Sequence, residues 1–184
     1  MEAGNEELRT KVLKKGITNA ELLRASAYLK EAGIKIQGFN IVGIPRGGLE
    51  TDWETLRFNT KLGVDHAWCS ILNPYPGTEI REIALAEGLL PAGEAAEDFF
   101  RESYFVDTAL ALADKRKVVN LHHFFDLGVR FPFFVPLIRL LISLPLTWLY
   151  ERIFKLDYVL SVRSFYHIRL LPWLRFLWAC RGIY

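Results

Sequence analysis

Residues 34–44 read IKIQGFNIVGI, and residues 64–77 read VDHAWCSILNPYPG. Each is a short apolar run, rich in β-branched and aromatic residues, that ends in a Gly/Pro loop, the pattern of a buried strand. The segment between them has a helical period. Trp53, Leu56 and Thr60 recur on one face, Thr51 with Glu54 forms a capping-box pair, and Gly63 stands where a helix stops. Strand, helix and strand predict a parallel pair, because parallel strands need a crossover of this kind. In such a sheet the loops at the carboxyl ends face one side. Gly43-Ile44-Pro45 and Pro74-Tyr75-Pro76-Gly77-Thr78 are therefore expected to line one crevice.

Working outward, Thr18 with Glu21 is a second capping-box pair, Leu22, Ala25 and Leu29 follow at helical spacing, and Gly33 occupies a helix-stop position. The stop glycines Gly33 and Gly63 are 30 residues apart, the length of one strand–helix unit of a parallel sheet. A further helix is predicted to open at Thr78, to turn Ile80, Ile83 and Ala84 inward and to end at Gly88. Two strands cannot close a barrel, so Ile36, Phe39, Ile41, Trp68 and Ile71 are expected to lie partly on an open apolar surface. Pro91 to Glu97 reads as a boundary between a unit at 1–90 and a second at 91–184. Beyond it, Asp114 is placed to cap a helix carrying Val118, Leu121 and Phe125, and Pro132, Pro136, Pro145 and Pro172 divide the rest.

Of the 184 residues, 51% are hydrophobic and 24% charged, which excludes a disordered chain. Charge is divided unevenly: residues 127–184 carry eight basic and two acidic side chains, so 1–126 carry −4 within a total of +2. The acidic first part offers no basic stripe for nucleic acid. Cys69 and Cys180 form neither a disulfide framework nor a metal spacing, and the N-terminus lacks an apolar signal core, so a reducing, cytoplasmic location is expected. His122 and His123 are adjacent helix positions that point in different directions, a poor arrangement for one metal ion.

Together these motifs resemble a known family. An E-x-G-N turn at Glu2–Asn5, a helix ending in KKGIT, the strand GFNIVGIP, the helix ETLRFN and the strand SILNPYPGTEI are similar to the carboxyl half of a radical S-adenosylmethionine core. The likeness is to the group whose members carry an N-terminal cobalamin-binding domain. It covers residues 1 to about 90, and the proline-divided tail loosely resembles that group's C-terminal extension. The resemblance implies an α/β fold, the C-terminal portion of a partial (β/α)6 barrel followed by a mainly helical, apolar extension. It implies S-adenosylmethionine across the strand ends and a 4Fe-4S cluster on a CxxxCxxC loop. By the same resemblance Glu2, Asn40, Val42, Gly43, Ile44, Leu72 and Pro74 flank the cofactor, while Tyr75, Gly77 and Thr78 face substrate. The family loop usually runs Gly-x-Pro-Gly-Glu. Here it runs Gly43-Ile44-Pro45-Arg46-Gly47-Gly48, with the nearest acid at Glu50.

The CxxxCxxC motif is absent, and without cluster thiolates the electron that cleaves the cofactor has no source in this chain. No catalytic residue and no metal ligand is therefore assigned. The expected state is a piece of a radical S-adenosylmethionine enzyme that works with the N-terminal half of the same enzyme, the alternative being a non-catalytic scaffold or membrane-associated module. Residues 131–150 form a 20-residue stretch with one charge, Arg139, interrupted by Pro136 and Pro145. The segment after it interleaves Arg with Trp, Phe and Leu, as interfacial helices do. Residues 131–184 are thus read as packing on other domains, as lying peripherally on the inner membrane face, or as a span.

Overall fold

The computed structural model describes residues 1–90, 107–167 and 172. The boundary expected at Pro91–Glu97 and the Arg/Trp-rich end of the tail lie outside these residues. Helices α1 (Glu6–Lys11) and α2 (Asn19–Glu31) precede strand β1 (Gln37–Val42); helix α3 (Leu49–Leu62) leads to strand β2 (His66–Ile71) and helix α4 (Glu79–Ala86). Helix α5 (Lys115–Arg130), a 3-10 turn (Pro132–Phe134), α6 (Val135–Leu141) and α7 (Thr147–Phe165) complete the described chain.

The strands are parallel and adjacent, in the register Gln37 to His66 through Val42 to Ile71. The fold is mixed α/β with two paired strands, and a closed or half-closed barrel is not formed among the described residues. Because side chains alternate across a sheet, Gly38, Asn40, Val42, Ala67, Cys69 and Ile71 turn to one face. There they pack against α3 and α5 in a core that includes Trp53, Leu56, Val118, Leu121 and Phe125. Phe39, Ile41, Trp68 and Ser70 turn to the other. Phe39 is 56% exposed, and Ile36, Ile41 and Trp68 are half-buried. Ile71 corrects the expectation that it lies on the open surface. It is buried, because it shares the helix-facing parity of Cys69.

Local signals explain most helix ends. Thr18 and Glu21 form both halves of a capping box, and Gly33 and Gly63 adopt left-handed conformations just after α2 and at the end of α3. Helix α3 starts earlier than its Thr51/Glu54 pair suggests. Thr51 lies inside the first turn, where its hydroxyl donates to the Gly48 carbonyl and accepts the Gly48 N–H at 3.0 Å. Asp114 occupies the N-cap of α5 without capping it; its carboxylate pairs instead with Lys117 at 2.9 Å.

Each sheet edge has a partner at one position. On the β1 side, Glu2 forms a parallel bridge with Asn40. On the β2 side, one edge amide is taken by a helix carboxylate: Ala67 N–H donates to Asp126 of α5 at 2.6 Å.

Candidate functional site

The sequence expectation places function at the carboxyl ends of β1 and β2. Val42 and Gly43 are both buried on the helix-facing side. Gly43 has φ +72°, and a Cβ there would lie 3.0 Å from Leu112 and 3.3 Å from Val118. The close approach that glycine permits is thus made by the protein's own residues around α5. The Gly43 N–H donates to Asp52 of α3 at 3.1 Å, which anchors the exit of β1 to the first turn of the following helix.

Ile44, Leu72 and Pro74 are buried too. Helix α4 folds back over the strand ends, and its Ile83 joins Ala3, Leu8, Val12 and Ile44 in one apolar cluster. Its Ala84 joins Leu72, Leu90 and Leu110 in another, with Ile41 and Ile80 packed against both. The loop before α5 covers the β2 exit. Thr108 donates its hydroxyl to the Leu72 carbonyl, and Asn73 accepts the Ala109 N–H at 3.0 Å. Gly43-Ile44-Pro45 and Pro74–Thr78 therefore do not line an open crevice in this conformation. The apolar face of α4 fills it, because Ile80, Ile83 and Ala84 remove more surface from water there than an open cleft would. Tyr75 and Gly77 remain exposed, and Thr78, half-buried, donates its hydroxyl to the Tyr75 carbonyl at 2.6 Å.

Glu2 and Asn40 are brought together by backbone, not by side chains. The Asn40 side chain points into the helix layer, where its Oδ1 accepts from Asn59 Nδ2 at 2.7 Å and its Nδ2 donates to the Trp68 carbonyl at 3.0 Å. Glu2 extends its carboxylate to Lys15 at 3.2 Å. A shallow groove of about 310 Å³ runs between Gly4, Asn5, Asn19 and α3, and none of its lining residues belongs to the strand exits.

Comparison with known proteins gives one point of reference. The chain is 38% identical over 76 residues to an uncharacterized methyltransferase of Pyrococcus horikoshii. The match takes in 41% of this chain and 17% of that protein, so the chain spans a small share of the relative's length. No protein-family model matches the chain.

A 4Fe-4S cluster does not fit the thiols present. The chain contains two cysteines, and Cys69 lies buried inside β2, where burial and the neighbouring Asp52 charge push its thiol well up. A cluster ligand must be a thiolate. Among the described residues no group of three His, Cys, Asp or Glu side chains could hold a metal ion. His122 and His123 are both buried, with ring centroids 5.3 Å apart, and both pack at tilted angles against Phe154 of α7. Their place is in the α5–α7 packing.

Two polar residues under the strand exits escaped the sequence reading. Asp52 is buried, with Oδ2 lacking a hydrogen-bond partner; burial raises its carboxyl to about 7, against the pull of the Gly43 N–H. The signal was its spacing, since Asp52, Leu56 and Asn59 share the buried stripe of α3. Arg9 is fully buried and donates to the carbonyls of Ala3 at 2.6 Å and Ile17 at 2.8 Å, and to Asn19 at 2.8 Å. It ties down the segment that brings Glu2 to the sheet. A lone arginine on a short helix carries no pattern that marks it as buried.

Proposed function

We propose that this chain supplies the carboxyl-terminal strands of a radical S-adenosylmethionine methyltransferase. The observation that carries the reading is the 38% identity to a methyltransferase over 76 residues. It is supported by the order of the sheet, in which the Glu2 segment, β1 and β2 run parallel and end together. The cluster loop, and a cobalamin-binding domain if one takes part, would belong to other regions of the assembled enzyme. S-adenosylmethionine, when bound, supplies the activated methyl and adenosyl groups.

The residues of this chain would then position and enclose the cofactor. The backbone at Asn40–Ile44 and Leu72–Pro74 would flank its adenine, while the Glu2 carboxylate, Tyr75, Gly77 and Thr78 would lie toward the reacting groups. Access would require α4 to move, since Ile44 and Leu72 are buried beneath it. Helix α4 is bracketed by Gly77 and Gly88, both with positive φ and open space around them. Surface pairs Lys14–Glu79 (3.3 Å) and Arg46–Glu87 (2.7 Å) hold it down, and pairs so exposed contribute at most about 1 kcal/mol each. Displacing α4 would therefore cost mainly the burial of Ile80, Ile83 and Ala84.

Titration of the chain with S-adenosylmethionine, followed by amide chemical shifts, tests the reading. Shifts concentrated at Gly43, Ile44, Leu72 and α4 support it. No shifts at millimolar cofactor, or shifts confined to other residues, overturn it.

A further inference from the structure

The final described helices turn apolar stripes toward solvent. On α7, Leu149, Ile153, Leu156 and Leu160 recur at helical spacing, and each is exposed, Leu156 by 62% and Leu160 by 54%. The 3-10 turn, α6 and the residues just after it repeat the pattern with Phe133, Leu137, Leu140 and Leu144, Phe133 and Leu140 being exposed by 72% and 71%. The opposite parity is already used: Ile138, Ile142 and Tyr150 are buried, and Phe154 packs on the rings of α5. The α7 set lies along one face of a single helix, a contiguous apolar surface rather than scattered exposure.

Charge identifies the occupant. Residues 131–167 carry four basic and two acidic side chains, a net of +2, while residues 1–130 carry −3. Of the two acids, Glu151 is paired with Lys155 at 2.7 Å and Asp157 is half-buried against Arg130. Arg152 and Lys155 form the next column round α7 from its stripe, and Arg152 stacks over Trp148 with its guanidinium carbon 5.3 Å from the ring centroid. Leucines with a tryptophan, bordered by cations on a helix about 28 Å long, match the boundary between acyl chains and anionic headgroups. No described helix is long and apolar enough to cross a membrane. We infer that the exposed face of α7 docks flat on an anionic lipid surface, with Leu156 and Leu160 inserted and Arg152 at the phosphates. Lys155 exchanges its i,i+4 partner Glu151 for a phosphate, since an ion pair so exposed holds it only weakly. The net negative remainder of the chain would be held away from the same surface, which sets the orientation.

Flotation of the full chain with phosphatidylcholine vesicles, with and without phosphatidylglycerol, tests this. The wild-type chain is expected to float with the anionic vesicles. Binding should fall at least about tenfold in Leu156→Glu/Leu160→Glu and in Arg152→Glu/Lys155→Glu, and should hold in Tyr28→Glu, an exposed apolar site on α2. Circular dichroism checks that each variant is folded. Three results overturn the proposal: a wild-type chain that stays behind with both vesicle types, a folded stripe variant that floats as well as wild type, and wild-type oligomers that the stripe variant converts to monomers without any flotation. The last would assign the stripe to a second copy of the chain.

Discussion

Glu2 and Asn40 face one another as a parallel pair. The Glu2 N–H donates to the Phe39 carbonyl and the Glu2 carbonyl accepts the Ile41 N–H, each at 2.8 Å. The first residues of the chain thus take the position of a third parallel strand beside β1. Arg9 keeps them there by gripping the Ala3 carbonyl from within α1.

The Arg9 anchor is testable by hydrogen exchange. Arg9→Ala leaves the Ala3 carbonyl unpaired in a buried site, a loss of about 1–3 kcal/mol, and frees the part-buried Ile17 carbonyl to water. Exchange at the Ile41 amide, which depends on Glu2, should quicken more than tenfold, while amides paired between β1 and β2 change far less. Equal quickening throughout the sheet would show that Arg9 supports the whole fold and not this edge.

Asp52 and His123 should shape the pH dependence of stability in opposite directions. The Asp52 carboxyl is raised to about 7 in the fold, above its unfolded value, so the folded state holds a proton that the unfolded state releases. Stability is lost as pH rises from about 4 to 7, by about 4 kcal/mol in principle. Asp52→Asn keeps an acceptor for Gly43 N–H and should remove that slope, leaving the variant more stable than wild type at pH 8. Urea midpoints at pH 5 and pH 8 measure it; an unchanged difference between the two would refute the assignment.

His123 is lowered to about 4 by burial, with Glu151 opposing and Lys155 adding to the effect. Its neutral form is the folded form. Stability is present above the unfolded value of about 6.5 and is lost as pH falls toward 4, by about 3 kcal/mol. His123→Phe should flatten this acid limb without altering the limb that Asp52 controls. Acid denaturation that begins at the same pH in the variant would count against it.

Two glycines with nearly the same positive φ separate strain from packing. Gly33 has φ +70° with open space around it, whereas Gly43 has φ +72° with Leu112 and Val118 at contact. Gly33→Ala should cost about 1 kcal/mol, the left-handed penalty alone. Gly43→Ala should cost about 2–4 kcal/mol, because the overpacked neighbours add to it. Equal losses in denaturant midpoints would mean that the β1 exit has room to relax.

The proposed division of labour predicts catalytic silence. After reconstitution with iron and sulfide, the chain alone should show no 4Fe-4S absorbance and release no 5′-deoxyadenosine, since its two cysteines cannot supply a cluster. Turnover by the isolated chain would refute the proposal that the cluster resides elsewhere.

Strand positions, their parallel pairing, the Thr18 capping box and the glycine stops were legible in the residues. Each depends on interactions within a few positions or on the two-residue alternation of a strand. That alternation also places Ile71 with Cys69 on the helix side, once the register is known. The state of the strand exits was not legible. Whether Gly43 and Pro74 border a cleft or a filled core depends on where α4 and the loop at 107–110 come to rest, and those contacts join residues far apart in the chain. The burial of Arg9 and Asp52 likewise required the tertiary structure. The sequence by itself determined which segments are strands and helices, because local hydrogen bonding and periodicity are written in neighbouring residues. Only the tertiary structure decided that the exits are closed and that the α7 stripe faces outward, because burial is settled by what the rest of the chain leaves uncovered.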